Sequence, residues 1–212
     1  QREVIFNKVE SIYTKLSTGL ISLATPTMKN AGTMNEQLLS CFLLRAEDST
    51  ESIMKMAGML AKISKGAGGT GWSKCFRPVG SEVKKTNGRS GGERPFLKIY
   101  EAVLSAFDQG GNRPGSGTDY KRVWEAEFAQ WIRLRRPHEP VEFSIRKLFY
   151  ACWLDDYFME CVEQDSDWFF LSKYEYPELI DLYGEDFKKR YIAICNWIQD
   201  GSSGSNDENI RN

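Results

Sequence analysis

The sequence lacks the features that several common protein classes require. His138 is its only histidine, and the five cysteines form no Cys-x-x-Cys pair. Zinc sites and disulfide frameworks depend on such residues at close spacing, so neither is predicted. No apolar run approaches the roughly 18 residues of a membrane span, and the amino terminus does not resemble a secretory signal. We therefore expect a cytoplasmic protein without a membrane segment.

An excess of one charge is also missing, since 28 basic residues face 29 acidic ones. A net charge of −1 gives no reason to expect direct nucleic-acid binding. The hydrophobic content of 41% and the length of 212 residues are typical of one globular domain. The last residues, GSSGSNDENIRN, have no apolar face. We predict one domain over residues 1–199 and a disordered tail over 200–212.

The near-zero total conceals a basic segment. Residues 1–106 carry 15 basic and 9 acidic side chains, and the remainder carries 13 and 20. Of the 18 glycines, 13 lie between Gly58 and Gly117, where nine lysines or arginines also occur from Lys62 to Lys98. Glycine backbone N–H groups can approach an anion closely, which indicates phosphate binding. The alternative is a solvated basic loop with flexible turns.

Apolar periodicity predicts the elements of the fold. Helices are predicted over residues 3–17, 49–66, 95–110, 121–136, 157–162 and 187–198. In the second, Asp48 and Glu51 resemble a capping box. Buried strands are predicted for the apolar runs 41–44 and 148–153, and residues 21–27 are expected to be extended into a turn. Helices alternating with short strands indicate an α/β or α+β architecture.

The glycines form three clusters. The first, residues 66–71, has the pattern Gly-x-Gly-x-x-Gly but follows a helix, so it is not a dinucleotide fingerprint, although it can mark a close backbone approach. The second, residues 86–92, follows several cations and could close over a polyphosphate. The third, residues 109–115, sets an amide, a guanidinium and a proline among glycines, a composition suited to a loop that reads a base edge.

Several blocks occur in one order along the chain. They are LATPTMKNAGT (23–33), QLLSCFLL (37–44), AKISKGAGGTG (61–71), RPVGSEVKKTNGRSGG (77–92), DQGGNRPG (108–115) and LFYACWLDDYFM (148–159). With these blocks the chain resembles the catalytic large subunit of ribonucleotide reductase. The resemblance implies that residues 1–199 are the amino-terminal part of a ten-stranded α/β barrel with helices around short strands.

The resemblance implies reduction of ribonucleotides to deoxyribonucleotides by radical chemistry. Thr27 and Ser40 would bind the nucleoside diphosphate substrate, and the backbone at Gly68 and Gly69 would line the same pocket. Cys41 would be one half of the redox pair that supplies electrons and becomes a disulfide. For an isolated cysteine, a small buried hydrophobic side chain is the alternative interpretation.

The resemblance also implies an allosteric effector site for a deoxynucleoside triphosphate or ATP. Its residues lie at a helix amino terminus and among basic side chains: Asp48, Ser49, Thr50, Arg77, Lys84 and Lys85. A carboxylate at a helix amino terminus is stabilising and can accept from a sugar hydroxyl, so Asp48 can also be a simple cap. The loop 109–115 would carry effector identity to the substrate base through Gln109 and Arg113.

No metal or cofactor would be bound by this chain itself. By resemblance, the radical would come from a metal-containing small subunit or from adenosylcobalamin, and thioredoxin or glutaredoxin would be the reductant. A homodimer of large subunits is implied, with the helices at 51–65 and 95–107 as candidate contacts. The chain has no Asn-x-Cys-x-Glu block, where the family holds its radical cysteine. We therefore expect it to be inactive alone; the alternative is a nucleotide-binding sensor or assembly module that retains only the effector site.

Overall fold

A parallel sheet of four strands forms the centre of the fold. The computed structural model describes residues 2–34, 36–83, 87–107 and 115–200. The strands are β1 (Cys41–Ala46), β2 (Gly69–Lys74), β3 (Glu82–Val83), β4 (Gly88–Arg89), β5 (Gly117–Arg122) and β6 (Phe149–Trp153). The sheet has the order β1-β2-β5-β6 with every neighbouring pair parallel, and β3 and β4 form a separate antiparallel hairpin.

Helices provide the long connections that parallel strands require. They are α1 (Arg2–Ser17), α2 (Thr25–Asn30), α3 (Thr50–Lys65), α4 (Arg94–Ala106), α5 (Phe128–Trp131), α6 (Asp156–Glu163) and α7 (Gly184–Gln199), with a 3-10 helix at Pro177–Ile180. None of the helices in these ranges is both long and apolar enough to cross a membrane. The predicted tail, residues 200–212, lies outside the described residues except for Asp200.

The main core lies between the sheet and the pair α3 and α4. The helical spacing of α3 buries Ile53, Met56 and Leu60. Trp72 of β2 meets Tyr100 of α4 edge to face, with ring centroids 5.8 Å apart. Burial of large apolar side chains is the main favourable contribution to folding, so this layer fixes α3 and α4 on the sheet.

The other face of the sheet leaves large apolar side chains in solvent, so the strands predicted at 41–44 and 148–153 are present but their predicted burial is wrong. Leu43, Phe149 and Trp153 are 83%, 47% and 60% exposed. They alternate with side chains that point towards α3 and α4, as the pleat of a strand requires. The α/β class is therefore confirmed. Closure into a ten-stranded barrel stays a prediction, because the described residues form an open sheet with β1 and β6 at its edges.

The predicted helix over 121–136 is wrong. Residues up to Arg122 belong to β5, and only Phe128–Trp131 is helical. Glu127 has a left-handed backbone with a φ of +65°, which interrupts any longer helix. In β5, Asp119 and Lys121 point inwards to charged partners from other segments, and these partners stabilise a strand that local apolar spacing does not predict.

The start of α2 and the cap of α3 also differ from the predictions. The chain is extended up to Ala24 but helical from Thr25, because Pro26 suits the first turn of a helix. At α3, the cap is Ser49, whose hydroxyl accepts from the Ser52 N–H at 3.1 Å. The predicted capping box at Asp48 is therefore one residue too early, while the predicted start near Ser49 and the predicted stop at Gly66 are confirmed.

The close approach predicted for the first glycine cluster is confirmed. A Cβ at Gly68 would lie 2.5 Å from Cγ2 of Ile63 and 2.8 Å from Cε2 of Phe42. A Cβ at Gly71 would lie 2.8 Å from Cε2 of Tyr120. Glycines at these positions therefore allow the chain to pass from the end of α3 into β2 in close contact with Ile63, Phe42 and Tyr120.

Candidate functional site

Asp48 and Arg77 meet on the side of the sheet where the parallel strands have their carboxyl ends. We call this side the carboxyl-terminal edge, and the side where the strands begin the amino-terminal edge. The Arg77 Nε donates to the Asp48 carboxylate, and the Arg77 Nη1 donates to the Glu82 carbonyl at 3.1 Å. Both side chains of the ion pair are partly accessible, with 18% of Asp48 and 21% of Arg77 exposed. A carboxylate and a guanidinium at one accessible position can bind a hydroxyl and a phosphate of the same ligand.

The parallel register explains this meeting. Ala46 and Lys74 are partners at the ends of β1 and β2. Asp48 follows the first strand by two residues and Arg77 follows the second by three, so both side chains extend from the same edge. Ligand sites of parallel sheets commonly lie at this edge.

Ser49 and Thr50 place the amino terminus of α3 beside Asp48. Ser49 is the N-cap and Thr50 is the first helical residue, and both are exposed or partly exposed. The partial positive charge of a helix amino terminus favours a nearby anion. The carboxylate of Asp48 does not cap the helix; it accepts a hydrogen bond from Arg77 instead.

The β3–β4 hairpin lies against Arg77. The Glu82 carbonyl accepts from its guanidinium, and the Ser90 hydroxyl donates to its carbonyl at 3.4 Å. Lys84 and Lys85, the other predicted phosphate ligands, lie outside the described residues between the two strands of the hairpin. The structure thus brings four of the six predicted effector residues to one edge of the sheet.

The predicted substrate and redox residues lie at the opposite edge. Cys41 and Gly69 begin neighbouring strands and are register partners. Ser40 precedes Cys41, with its hydroxyl 3.7 Å from the Cys41 Sγ. The Thr27 hydroxyl donates to the Leu38 carbonyl at 3.1 Å, which ties α2 to the segment that enters β1. Cys41 is exposed, so the alternative of a small buried side chain is wrong.

The backbone at Gly68 and Gly69 fixes this edge from within. The Gly69 N–H donates to the Ser40 carbonyl at 2.7 Å, and the Gly68 N–H donates to the Ile63 carbonyl at 3.0 Å. Both N–H groups are therefore engaged by protein acceptors. These glycines can line a pocket, but in this structure their N–H groups are not free to bind a phosphate.

The loop with Gln109 and Arg113 lies outside the described residues, which stop at Phe107 and resume at Gly115. Its ends are nevertheless placed. It follows the last residues of α4, and it leads into β5, whose Gly117 pairs with Thr70 next to the substrate edge. The helix α4 begins soon after the hairpin beside Arg77 and ends at this loop. Its 13 residues therefore lead from the carboxyl-terminal edge, with Asp48 and Arg77, to the amino-terminal edge, with Cys41.

Comparison with known proteins identifies the family. The family model described as "Ribonucleotide reductase, barrel domain" matches residues 39–201. The chain belongs to the ribonucleotide reductase family. The resemblance stated from the ordered blocks is thereby confirmed.

Several reductase large subunits are similar to this chain. It is 40% identical over 182 residues to the ribonucleoside-diphosphate reductase large chain of Schizosaccharomyces pombe, a match that covers 84% of this chain and 22% of that protein. It is 42% identical over 182 residues to the large chain of Cryptosporidium parvum, with 84% and 23% covered. For subunit alpha of Helicobacter pylori the identity is 37% over 194 residues, with 91% and 25% covered. The chain thus spans about a quarter of the length of these relatives.

The chain also contains a buried charge network that was not predicted from the sequence. Six fully or almost fully buried side chains take part: Lys74, Glu93, Asp119, Lys121, Glu125 and Lys173. The Lys121 Nζ donates to Glu93 at 2.7 Å, and the Lys173 Nζ donates to Glu125 at 2.6 Å. Three basic groups thus balance three acidic ones, as burial requires. The alternating acidic and basic residues of β5 are the one local signal of this network.

The network lies near the carboxyl-terminal ends of β2 and β5, next to the hairpin. Glu93 is the N-cap residue of α4 directly after the glycines of the hairpin, and its carboxylate lies 3.2 Å from the Lys74 Nζ at the end of β2. Burial would raise the pKa of Glu93, but the ammonium groups of Lys121, Lys74 and Lys173 outweigh it and lower the pKa to about 2. Burial raises the pKa of Asp119 despite the opposing Lys74 ammonium.

A metal centre is not found among these residues. Across residues 2–34, 36–83, 87–107 and 115–200, no three histidine, cysteine, aspartate or glutamate side chains are placed to hold a metal ion together. The buried carboxylates are occupied by lysines instead.

Proposed function

We propose that this chain is part of the catalytic subunit of a ribonucleoside-diphosphate reductase. One observation supports this most strongly: the same pair of strands carries Cys41 and Gly69 at one edge and leads to Asp48 and Arg77 at the other. A six-residue strand separates the edges by roughly 20 Å. The two groups of residues are therefore far enough apart to form a catalytic and an allosteric site on the same sheet.

The amino-terminal edge is proposed to bind the nucleoside diphosphate and to reduce it. Thr27 and Ser40 would bind the substrate beside the exposed Cys41 thiol, and the backbone at Gly68 and Gly69 would line the same pocket. The ribose loses its 2′-hydroxyl as water, while Cys41 and a second cysteine outside this chain give two electrons and two protons and form a disulfide. Thioredoxin or glutaredoxin would then reduce that disulfide by thiol exchange.

The carboxyl-terminal edge is proposed to bind the effector, a deoxynucleoside triphosphate or ATP. Asp48 would accept from the sugar hydroxyl, and the triphosphate would lie between the amino terminus of α3 and Arg77, with Lys84 and Lys85 as further cations. Thr50 would contribute its backbone N–H group at this terminus, whereas the Ser49 N–H donates to the Glu47 carbonyl at 2.8 Å. Gln109 and Arg113 would contact the substrate base after α4 and its loop respond to the effector.

Further partners follow from this assignment. A metal-containing small subunit, or adenosylcobalamin, would supply the radical that starts the reaction. A second copy of the large subunit would pack on the exposed sides of α3 and α4. All five cysteines are free thiols, which suits the reducing cytoplasm.

Calorimetric titration with dTTP tests the effector site. We expect saturable binding to the wild-type chain and a loss of at least about ten-fold in affinity for Arg77→Ala, because a charge-assisted contact to phosphate is removed. Arg146→Ala is the matched control, because Arg146 is an exposed arginine that is distant in sequence from Asp48 and Arg77. Its guanidinium donates to the carbonyls of Pro137 and Glu139. Equal binding by the wild type and Arg77→Ala would refute the assignment.

A further inference from the structure

The Arg77 guanidinium has a third neighbour that belongs to a distant part of the chain. Its Cζ lies over the ring of Tyr174, 5.2 Å from the ring centroid. This distance is within the range of a cation–π interaction. Arg77 is therefore held by a carboxylate at Asp48, a carbonyl at Glu82 and an aromatic face, each from a different segment.

The segment that carries Tyr174 is fixed to the sheet. The Leu171 N–H donates to the Trp124 carbonyl at 2.7 Å, and the Leu171 carbonyl accepts from the Ala126 N–H at 2.8 Å. Next to Tyr174, the buried Lys173 ammonium donates to Glu125 at 2.6 Å. The buried charge network thus anchors the backbone next to Tyr174, although Tyr174 itself is 50% exposed.

We propose that Tyr174 is a positioning residue of the effector site, which acts by holding the Arg77 guanidinium towards the phosphates of the bound nucleotide. This inference rests on the proposed function of that edge. When a triphosphate competes with Asp48 for Arg77, the contacts with Tyr174 and Glu82 keep the guanidinium in place. A long side chain held in this way loses less conformational freedom when its ligand binds.

Four variants separate this role from simple packing. Tyr174→Phe keeps the aromatic face, Tyr174→Leu keeps apolar bulk without it, and Tyr174→Ala removes both. Tyr183→Ala is the control, because Tyr183 is 77% exposed and lies just before α7. The side chain at position 174 is half exposed, so these variants are expected to fold, and far-UV circular dichroism checks this.

Calorimetric titration of the 212-residue chain with dTTP gives the answer. We expect Tyr174→Ala and Tyr174→Leu to bind about two- to five-fold more weakly than wild type, and Tyr174→Phe and Tyr183→Ala to bind within about two-fold of it. If wild type binds dTTP and Tyr174→Leu binds equally well, the role of Tyr174 is overturned while the effector site stands. If wild type binds no dTTP, the proposed effector site fails, and this inference fails with it.

Discussion

Lys74 and Asp119 face each other across neighbouring parallel strands, and the Lys74 ammonium donates to both carboxylate oxygens of Asp119, at 2.7 and 2.6 Å. Neither side chain has any exposed surface. The Trp131 indole N–H donates to the same carboxylate at 2.6 Å. This arrangement joins β2, β5 and α5 in the interior of the fold.

Removal of one partner from this pair should be costly. Asp119→Leu leaves the Lys74 ammonium buried with less compensation, so we expect the free energy of unfolding to fall by about 3–5 kcal/mol. The double variant Lys74→Met, Asp119→Leu removes both charges and should recover most of that loss. Urea denaturation followed by tryptophan fluorescence measures both. Equal stability of wild type and Asp119→Leu would show that the pair is not a closed, buried one.

Glu93 should make stability depend on acidic pH. Its pKa in the folded chain is about 2, below the ordinary 4.5, so its contribution is complete above pH 4.5 and is lost as the pH falls towards 2. The contribution at pH 7 is on the order of 3 kcal/mol. The pKa of Asp119 is raised, so Asp119 has the opposite effect on the pH dependence of stability. The informative quantity is therefore the difference in free energy of unfolding between wild type and Glu93→Gln. That difference should shrink as the pH falls from about 5 to about 3 in urea denaturation; a constant difference would argue against a depressed pKa.

Replacement of two glycines by alanine should change the stability of the chain in opposite directions. Gly58 lies exposed in the middle of α3, and no atom lies within 4 Å of the position that a Cβ would occupy, so Gly58→Ala should stabilise the chain by about 1 kcal/mol. Gly68→Ala would press on Ile63 and Phe42 and should destabilise it by about 1–3 kcal/mol. Thermal unfolding of both variants checks the close approach; a stabilised Gly68→Ala would exclude it.

The cap of α3 can be tested in the same way. Ser49→Ala removes the hydroxyl that accepts from the Ser52 N–H, and we expect a loss of about 1 kcal/mol. Ser105→Ala serves as the control, because that exposed hydroxyl donates to the Glu101 carbonyl of its own helix and accepts, within the described part of the chain, only from the exposed Lys147 ammonium at 3.3 Å, so it caps no helix. If Ser49→Ala and Ser105→Ala are equally stable, Ser49 is not the cap.

Local pattern predicts the apolar elements of this fold and misses the polar ones. The runs at β1 and β6 and the helical spacing of α3 are visible because they consist of apolar side chains, although the two strands are less buried than predicted. The strand β2 is rich in glycine, and three of the six residues of β5 are charged, so neither has an apolar signature. Each is stable because of partners such as Lys74 and Asp119, which lie 45 residues apart in the chain.

The candidate sites show the same division. The ordered family blocks predict that Asp48 and Arg77 act together, and the parallel register places them in contact. Tyr174 is not predicted, because no pattern around it distinguishes its ring from an ordinary surface aromatic. Its position depends on a buried lysine and a strand bridge that only the folded chain creates.

The most direct test of the central claim is a reductase assay in a chimera. The matched segment of the Schizosaccharomyces pombe large chain would be replaced by residues of this chain, and reduction of CDP would be measured with the small subunit and a thiol reductant. We predict repeated turnover for the chimera, loss of it in Cys41→Ser, and no change in Cys152→Ser, whose thiol is also exposed. A folded chimera that turns over equally well with Cys41→Ser would contradict the assignment of Cys41 and of this segment to the reductive chemistry.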